Sequence, residues 1–205
     1  MTTEAKVKHT MKLLLVKHSK VNHNADQKPK DWELSTDGLA RCDQLAKHLV
    51  PYAPKQIFSS AMPKAQQTAT RVANALGDLP VVSNALLNEH SRESNAPYVS
   101  DADFRARVQT LFAQPKTVVY GDESAYTALK RFSEGMQFVL KNVDPNENVV
   151  VVAHGTVITL FVAQHNTIDA YDFWGKLSLP SIVALDMPDM TLDFVIEDAG
   201  VAPEK

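Results

Sequence analysis

Residues 148–153 of this 205-residue chain read Asn-Val-Val-Val-Val-Ala, and few environments accept such a run. β-branched side chains favour extended backbone. A strand that is apolar on both faces has to be covered on both, which is the situation of an inner strand in a parallel sheet. The run is far too short to cross a bilayer. Leu13-Leu14-Leu15-Val16 makes the same demand, and it runs directly into Lys17-His18. The valine run also ends on a histidine, His154. A lone histidine after a strand is ordinarily a surface residue, so its context has to decide its role.

The rest of the chain alternates between strand and helix signals. Ser35-Thr36-Asp37 can cap a helix to about Val50, with Leu39, Leu45, Ala46 and Leu49 on one face. Residues 55–60 form a short strand, and a helix over 63–76 opens on Pro63, which a first turn tolerates. A strand over 79–83 follows. Helices are expected from Ser100 or Asp101 to about Gln114 and from about Glu123 to Val143, and another over 155–165 behind the valine strand. Strands over 181–187 and 191–198 close the chain around a turn at Pro188-Asp189. This alternation predicts an α/β fold of three layers, a mostly parallel sheet with helices on both faces.

Length suits one large domain over residues 11–205, preceded by a polar, loose tail over residues 1–10. Hydrophobic residues at 44% and charged residues at 22% describe an ordinary water-soluble domain. A net charge of −3 argues against nucleic-acid and membrane-surface partners but leaves room for a local basic pocket. No apolar run reaches signal-peptide or membrane-spanning length. Cys42 is the only cysteine and has no partner for an internal disulfide, which fits a reducing, cytoplasmic setting. Within a helix it is expected to pack as a small hydrophobe.

Ligands of such sheets bind beyond the carboxyl ends of the strands. His18, Ser59-Ser60 with Lys64, and His154 each follow a strand. Three segments thus bring two histidines and two lysines to one sheet edge. A neutral imidazole is a good nucleophile, and neighbouring cations keep it neutral. The same cations can bind the oxygens of a phosphoryl group. A general acid is still needed for the leaving oxygen, and Glu89, after the third strand, is placed to supply it. Taken by itself Glu89 would read as a solvated loop carboxylate.

These residues resemble the histidine phosphatase superfamily, the phosphoglycerate-mutase-like fold. Its Arg-His-Gly is matched by Lys17-His18-Ser19, with Val21 and Asn24 at the following threonine and asparagine places. Leu34-Ser35 with Gly38, the segment from Ser59 to Ala69, Leu87-Asn88-Glu89, Gly121-Asp122-Glu123-Ser124 with Arg131, and Val152-Ala153-His154-Gly155 follow in the family's order. The resemblance covers about residues 12 to 165. It implies His18 as the nucleophile that becomes phosphohistidine, Glu89 as the proton donor, and His154 as a catalytic and phosphate-binding residue. It implies Lys17, Lys64 and Asn24 as further phosphate ligands, with a small phosphorylated substrate or inorganic phosphate as partner. No metal and no cofactor are implied, and His18 and His23, five apart without a cysteine, lack zinc spacing.

The departures from the family are specific. Both clamp arginines are lysines, and Ser19 replaces a glycine. Arginine offers phosphate a rigid fork, whereas lysine is a flexible point charge. Losing one charged hydrogen bond costs roughly 1.5–3 kcal/mol, about tenfold to more than a hundredfold in rate. Arg92 reads as a solvent-exposed arginine, with a supporting fork as the alternative. Two functions therefore stand: a metal-independent phosphomonoesterase, or a weakened phosphate- or phospholigand-binding protein. A phosphoglycerate mutase ranks third. The segment from Asn88 to Tyr120 is expected to line the pocket mouth.

Overall fold

The computed structural model describes residues 11–24, 26–92 and 100–203; the tail over residues 1–10 lies outside them. The two apolar runs become β1 (Lys12–Lys17) and β4 (Val149–Ala153), adjacent and parallel. Their register sets Leu13 opposite Val149 and Lys17 opposite Ala153. His18 and His154 therefore leave the sheet at the same level. The backbone N–H of His18 extends the ladder by donating to the Ala153 carbonyl at 3.0 Å.

Among the described residues, six strands lie in the order β3-β2-β4-β1-β5-β6. β2 (Ile57–Ser60) and β3 (Val81–Asn84) continue the parallel half, while β5 (Ser181–Asp186) runs antiparallel to β1 and pairs with β6 (Thr191–Ile196) as a hairpin. The sheet is thus mixed, with its parallel strands on the side that carries the histidines. Alternate side chains feed two cores. Leu13, Leu15, Val149 and Val151 pack with residues of α4 (Ala125–Lys141) and α5 (Gly155–His165). Leu14, Val16, Val150 and Val152 pack with α1 (Thr36–Leu49) and α2 (Pro63–Ala75). Each fully buried aliphatic side chain contributes about 1.5–3 kcal/mol, which is why these strands need a helix layer on both sides. α3 (Asp101–Ala113) completes the expected helices, capped by the Ser100 hydroxyl.

Two details differ from the sequence reading. Leu39 is 41% exposed and is not on the buried face of α1; Gly38 and Cys42 hold that face instead. A further helix, α6 (Ala170–Lys176), was not expected. Seven residues are too few to show a helical period, and its local signal is the Asp169 carboxylate, which accepts from the Asp172 N–H at 2.8 Å. Cys42 is buried, its thiol pushed up to about 11 by burial, in keeping with a packing role. Among the described residues no helix is long and apolar enough to cross a membrane.

Gly38 has a local importance its helix position hides. A Cβ there would collide with the Lys20 carbonyl, and the Ser19 hydroxyl donates to the Gly38 carbonyl at 2.8 Å. Alanine in place of glycine usually favours a helix interior. Here Gly38→Ala is expected to destabilise the chain by roughly 1–3 kcal/mol through overpacking, seen as a lower urea midpoint. An unchanged midpoint would mean that the contact between α1 and the segment after His18 gives way freely.

Candidate active site

His18 begins the loop beyond β1. Its Nδ1 lies 2.7 Å from the Ser19 carbonyl oxygen, which can only accept, so Nδ1 carries the proton. Nε2 is left with its lone pair. Ser19 is itself fixed: its N–H donates to Thr68 Oγ1 at 3.0 Å, and its hydroxyl reaches Gly38. The backbone of Ser19 thus ties the loop after β1 to α2, and its hydroxyl, which a glycine would lack, ties it to α1. Burial, then the charges of Lys64, Lys17 and Arg92, push His18 well below the ordinary histidine pKa. His18 is therefore a neutral imidazole with a defined tautomer.

His154 stands edge-on to His18, with ring centroids 5.1 Å apart, and is only 1% exposed. Its Nε2 is 2.7 Å from Ser60 Oγ. The Ser60 hydroxyl donates to Asn88 Oδ1 at 2.9 Å, an oxygen that also accepts from the Ala61 N–H. With the serine proton so placed, His154 donates through Nε2. Its Nδ1 is then a buried acceptor with no hydrogen-bond partner among the described residues. Burial, the neighbouring His18, and the cations Lys64, Arg92 and Arg131 push His154 well below the usual range as well. His154 does not itself line the cavity described below.

The two lysines reach the site from different strands' ends. Lys17 Nζ donates to the Leu177 carbonyl at 2.5 Å, and Lys64 Nζ, from the first turn of α2, donates to the Pro29 carbonyl at 2.5 Å. A carbonyl holds an ammonium in place without neutralising it. Burial pushes Lys17 down to about 8, offset by the Glu89 carboxylate and reinforced by Arg105. Lys64, 5% exposed, is also pushed down to about 8, chiefly by burial and then by Arg92. Gly155 makes room for this packing, since a Cβ there would lie 3.2 Å from both Lys17 Cε and the Trp174 indole nitrogen.

Glu89 is anchored at the start of α5. Its Oε2 accepts from the Thr156 N–H at 3.1 Å, and Oε1 accepts from the Val157 N–H at 3.2 Å and the His90 N–H at 2.9 Å. The segment before it is held by Arg131, whose guanidinium donates to the carbonyls of Leu86, Asn88 and Glu89 and to Glu123 Oε1. Arg131 is thus a positioning residue for Glu89.

Lys17, His18, Lys64, Glu89 and Arg92 line one cavity of about 310 Å³. A smaller one of about 160 Å³ shares Lys64, Glu89 and Arg92 with it. The sequence reading of Arg92 as solvent-exposed is corrected: its guanidinium is half-buried, 4.6 Å above the Phe104 ring, and its charge acts on His18, Lys64 and His154. Nothing local in the sequence announces that α3 supplies the ring beneath it. Asn24 is not brought to the cavity. Its side-chain oxygen accepts from the Asp26 N–H at 3.0 Å, and its carbonyl accepts from the Trp32 indole at 3.0 Å. The expected mouth segment does contribute Phe104, Arg105 and Tyr120, while Trp32 and Trp174 come from outside it and carried no sequence signal.

Two histidines, two lysines and a carboxylate thus gather at the strand ends. The family described as the histidine phosphatase superfamily (branch 1) matches residues 13–195, and the chain belongs to that superfamily. Among solved structures it is similar to a mycobacterial glucosyl-3-phosphoglycerate phosphatase in complex with inorganic phosphate, at 22% identity and a TM-score of 0.70, covering 94% of this chain and 100% of that one. It is also similar to a phosphoserine phosphatase from Entamoeba histolytica, at 16% identity and a TM-score of 0.72, covering 93% and 99%. A phosphoglycerate mutase from Bacillus anthracis shares the fold at 16% identity and a TM-score of 0.69, covering 93% and 95%. No curated protein matches the sequence.

Proposed function

We propose that the chain is a metal-independent phosphomonoester hydrolase, carried by one domain over residues 11–205, that works through a phosphohistidine at His18 on a small phosphorylated substrate in the cytoplasm. The observation that carries this reading is the tautomer of His18: its proton is held at Nδ1 by the Ser19 carbonyl, leaving the Nε2 lone pair free in a cation-lined cavity. Nε2 attacks phosphorus, the bond to the ester oxygen breaks, and Glu89 gives that oxygen a proton. Water then attacks the phosphohistidine, passes a proton to Glu89, and phosphate leaves. Lys17, Lys64 and Arg92 neutralise the charge that develops, and the phosphate-binding role that the resemblance implies for His154 requires its Nε2 proton to turn from Ser60 to a phosphoryl oxygen. Arg92 restores one of the forks that Lys17 and Lys64 lack.

Hydrolysis of 4-nitrophenyl phosphate by the purified chain in excess chelator tests this reading, and no turnover there would defeat it. The lysines give a specific reason to keep a second reading, a phospholigand-binding protein that hardly turns over. Both ammonium groups are already engaged with carbonyls, and neither offers a fork. Tight phosphate binding without hydrolysis would select it. Exchange of phosphate between positions of phosphoglycerate would select a mutase instead.

The acid role of Glu89 has its own signature. Glu89→Gln is expected to slow alkyl phosphates by roughly 10²-fold or more, the usual size of general-acid assistance. Aryl phosphates should suffer much less, because a phenolate leaves with little help. Equal losses on both ester types would remove Glu89 from the proton-donor role.

A further inference from the structure

The family pattern places guanidinium groups where this chain has Lys17 and Lys64. A guanidinium stays protonated near neutral pH and does not attack carbonyl carbon. A lysine that loses its proton is a nucleophile that forms Schiff bases. The exchange therefore gives the cavity a reactivity as well as a weaker clamp.

The two lysines are placed differently. Lys64 acts more strongly than Lys17 on His18, and it also acts on His154, so it stands on the phosphoryl side of the cavity. Lys17 lies against Trp174: a Cβ on Gly155 would be 3.2 Å from both its Cε and the indole nitrogen. Arg105 bears on Lys17 as a like charge and sits 5.7 Å from the Trp174 ring centroid. Among the described residues Lys17 has no salt bridge to a carboxylate, and its Nζ donates to the Leu177 carbonyl. Burial holds its amine at about 8. About one such amine in ten is then unprotonated at neutral pH, against about one in three thousand for an ordinary lysine. Phe104 and Trp174, with ring centroids 5.9 Å apart, give the cavity a flat apolar wall beside it.

We propose that Lys17 is a covalent modification site for phosphorylated aldehydes, whose phosphoryl group docks beside His18 and Lys64 while the carbonyl carbon meets the Lys17 amine at the aromatic wall. The amine nitrogen bonds to the aldehyde carbon, the carbonyl oxygen leaves as water with the two amine protons, and an imine remains. On taking up a proton the imine regains the positive charge and one N–H, which can stay on the Leu177 carbonyl. The adduct fills the cavity and shuts the site until water reverses it. This needs only that the cavity takes a phosphoryl group, which the hydrolase and the binding-protein readings share.

Pyridoxal 5′-phosphate is the probe, with pyridoxal as the control that lacks the phosphoryl group. The native chain with probe in excess, and His18→Ala, which spares the ester, are each treated at neutral pH. Borohydride then fixes the imine as a secondary amine, and peptide mass spectrometry maps it. Both proteins should carry a single pyridoxyl group on Lys17, formed about tenfold faster or better from the phosphorylated aldehyde, because docking brings the carbonyl to the amine. Inorganic phosphate should suppress it, and Lys17→Arg should lose it while still binding phosphate. No label, label on Lys64 or spread over surface lysines, equal labelling by pyridoxal, or label that phosphate does not suppress would each overturn the site. None of those outcomes depends on the Lys17 variant. Turnover of 4-nitrophenyl phosphate by the native chain, followed in parallel, keeps the two readings apart. Label without turnover removes the hydrolase and leaves the modification site standing. Turnover without label removes the modification site alone.

Discussion

His18→Ala should lose turnover by roughly 10⁴-fold or more, the usual consequence of removing a covalent nucleophile. It should also lose any acid-labile, alkali-stable phosphoprotein trapped by rapid quench. The fold should survive, since His18 lies beyond the end of β1 and contributes to neither apolar core. The cations that would hold phosphate remain, so inorganic phosphate should still bind. That combination sets nucleophile loss apart from misfolding. A His18→Ala variant that keeps native turnover, or that still forms the phosphoprotein, would place the reacting atom elsewhere.

The second large effect concerns Lys64, and it runs in opposite directions for activity and stability. A lysine forced from 10.5 to about 8 carries an unfavourable burial, on the order of 3 kcal/mol at about 1.4 kcal/mol per pKa unit. Lys64→Met keeps the length of the side chain and removes that burden. Its unfolding free energy at neutral pH should therefore rise by up to about 3 kcal/mol, less what is lost when the Pro29 carbonyl gives up its donor. Phosphate inhibition should weaken by about tenfold to a hundredfold.

The native chain should show the same opposition along the pH axis. Lys17 and Lys64 are charged in both folded and unfolded states below about pH 8. Between about 8 and 10.5 the unfolded chain binds more protons, so stability rises with pH across that window. Phosphate affinity should fall over its lower part, as the ammonium groups discharge. Phosphate inhibition that stays constant from pH 7 to 10 would mean that neither lysine supplies the clamp. Urea midpoints that fall across that window would show that other groups outweigh the lysines. The arginines of the family pattern could not behave this way, because a guanidinium stays charged throughout.

The parts of this design that were readable from the chain are those written in strand periodicity. Two runs apolar on both faces demand an interior position, and whatever follows them must emerge at the sheet's carboxyl edge. That logic puts His18 and His154 at one sheet edge, and Lys64 follows from the strand-to-helix turn after Ser60. Features set by packing between distant segments stayed hidden. Leu39 obeys the apolar period of α1, yet Gly38 and Cys42 take the buried place, because α1 approaches the Lys20 backbone at Gly38. Arg92 looked like surface because its support, Phe104, lies on another element. Asn24 matched a motif position, but its side chain is used in a local turn with Asp26. The chain from His154 through Ser60 to Asn88 joins three strand ends and has no linear signature.

The anchoring of Glu89 on α5 has a consequence for how the pocket waits for substrate. The first N–H groups of a helix ordinarily attract a bound anion. In this chain that place is filled from within: the protein's own carboxylate occupies it, like a cork carried by the bottle. An incoming phosphoryl group therefore finds the helix dipole spent, and its charge has to be met by side chains alone. That raises the importance of Lys17, Lys64 and Arg92. It also ties the rest state of α5 to the residue assigned the proton, so that any movement of Glu89 toward a leaving oxygen uncovers the helix end at that moment. Proton delivery and the exposure of fresh N–H donors would then be a single motion.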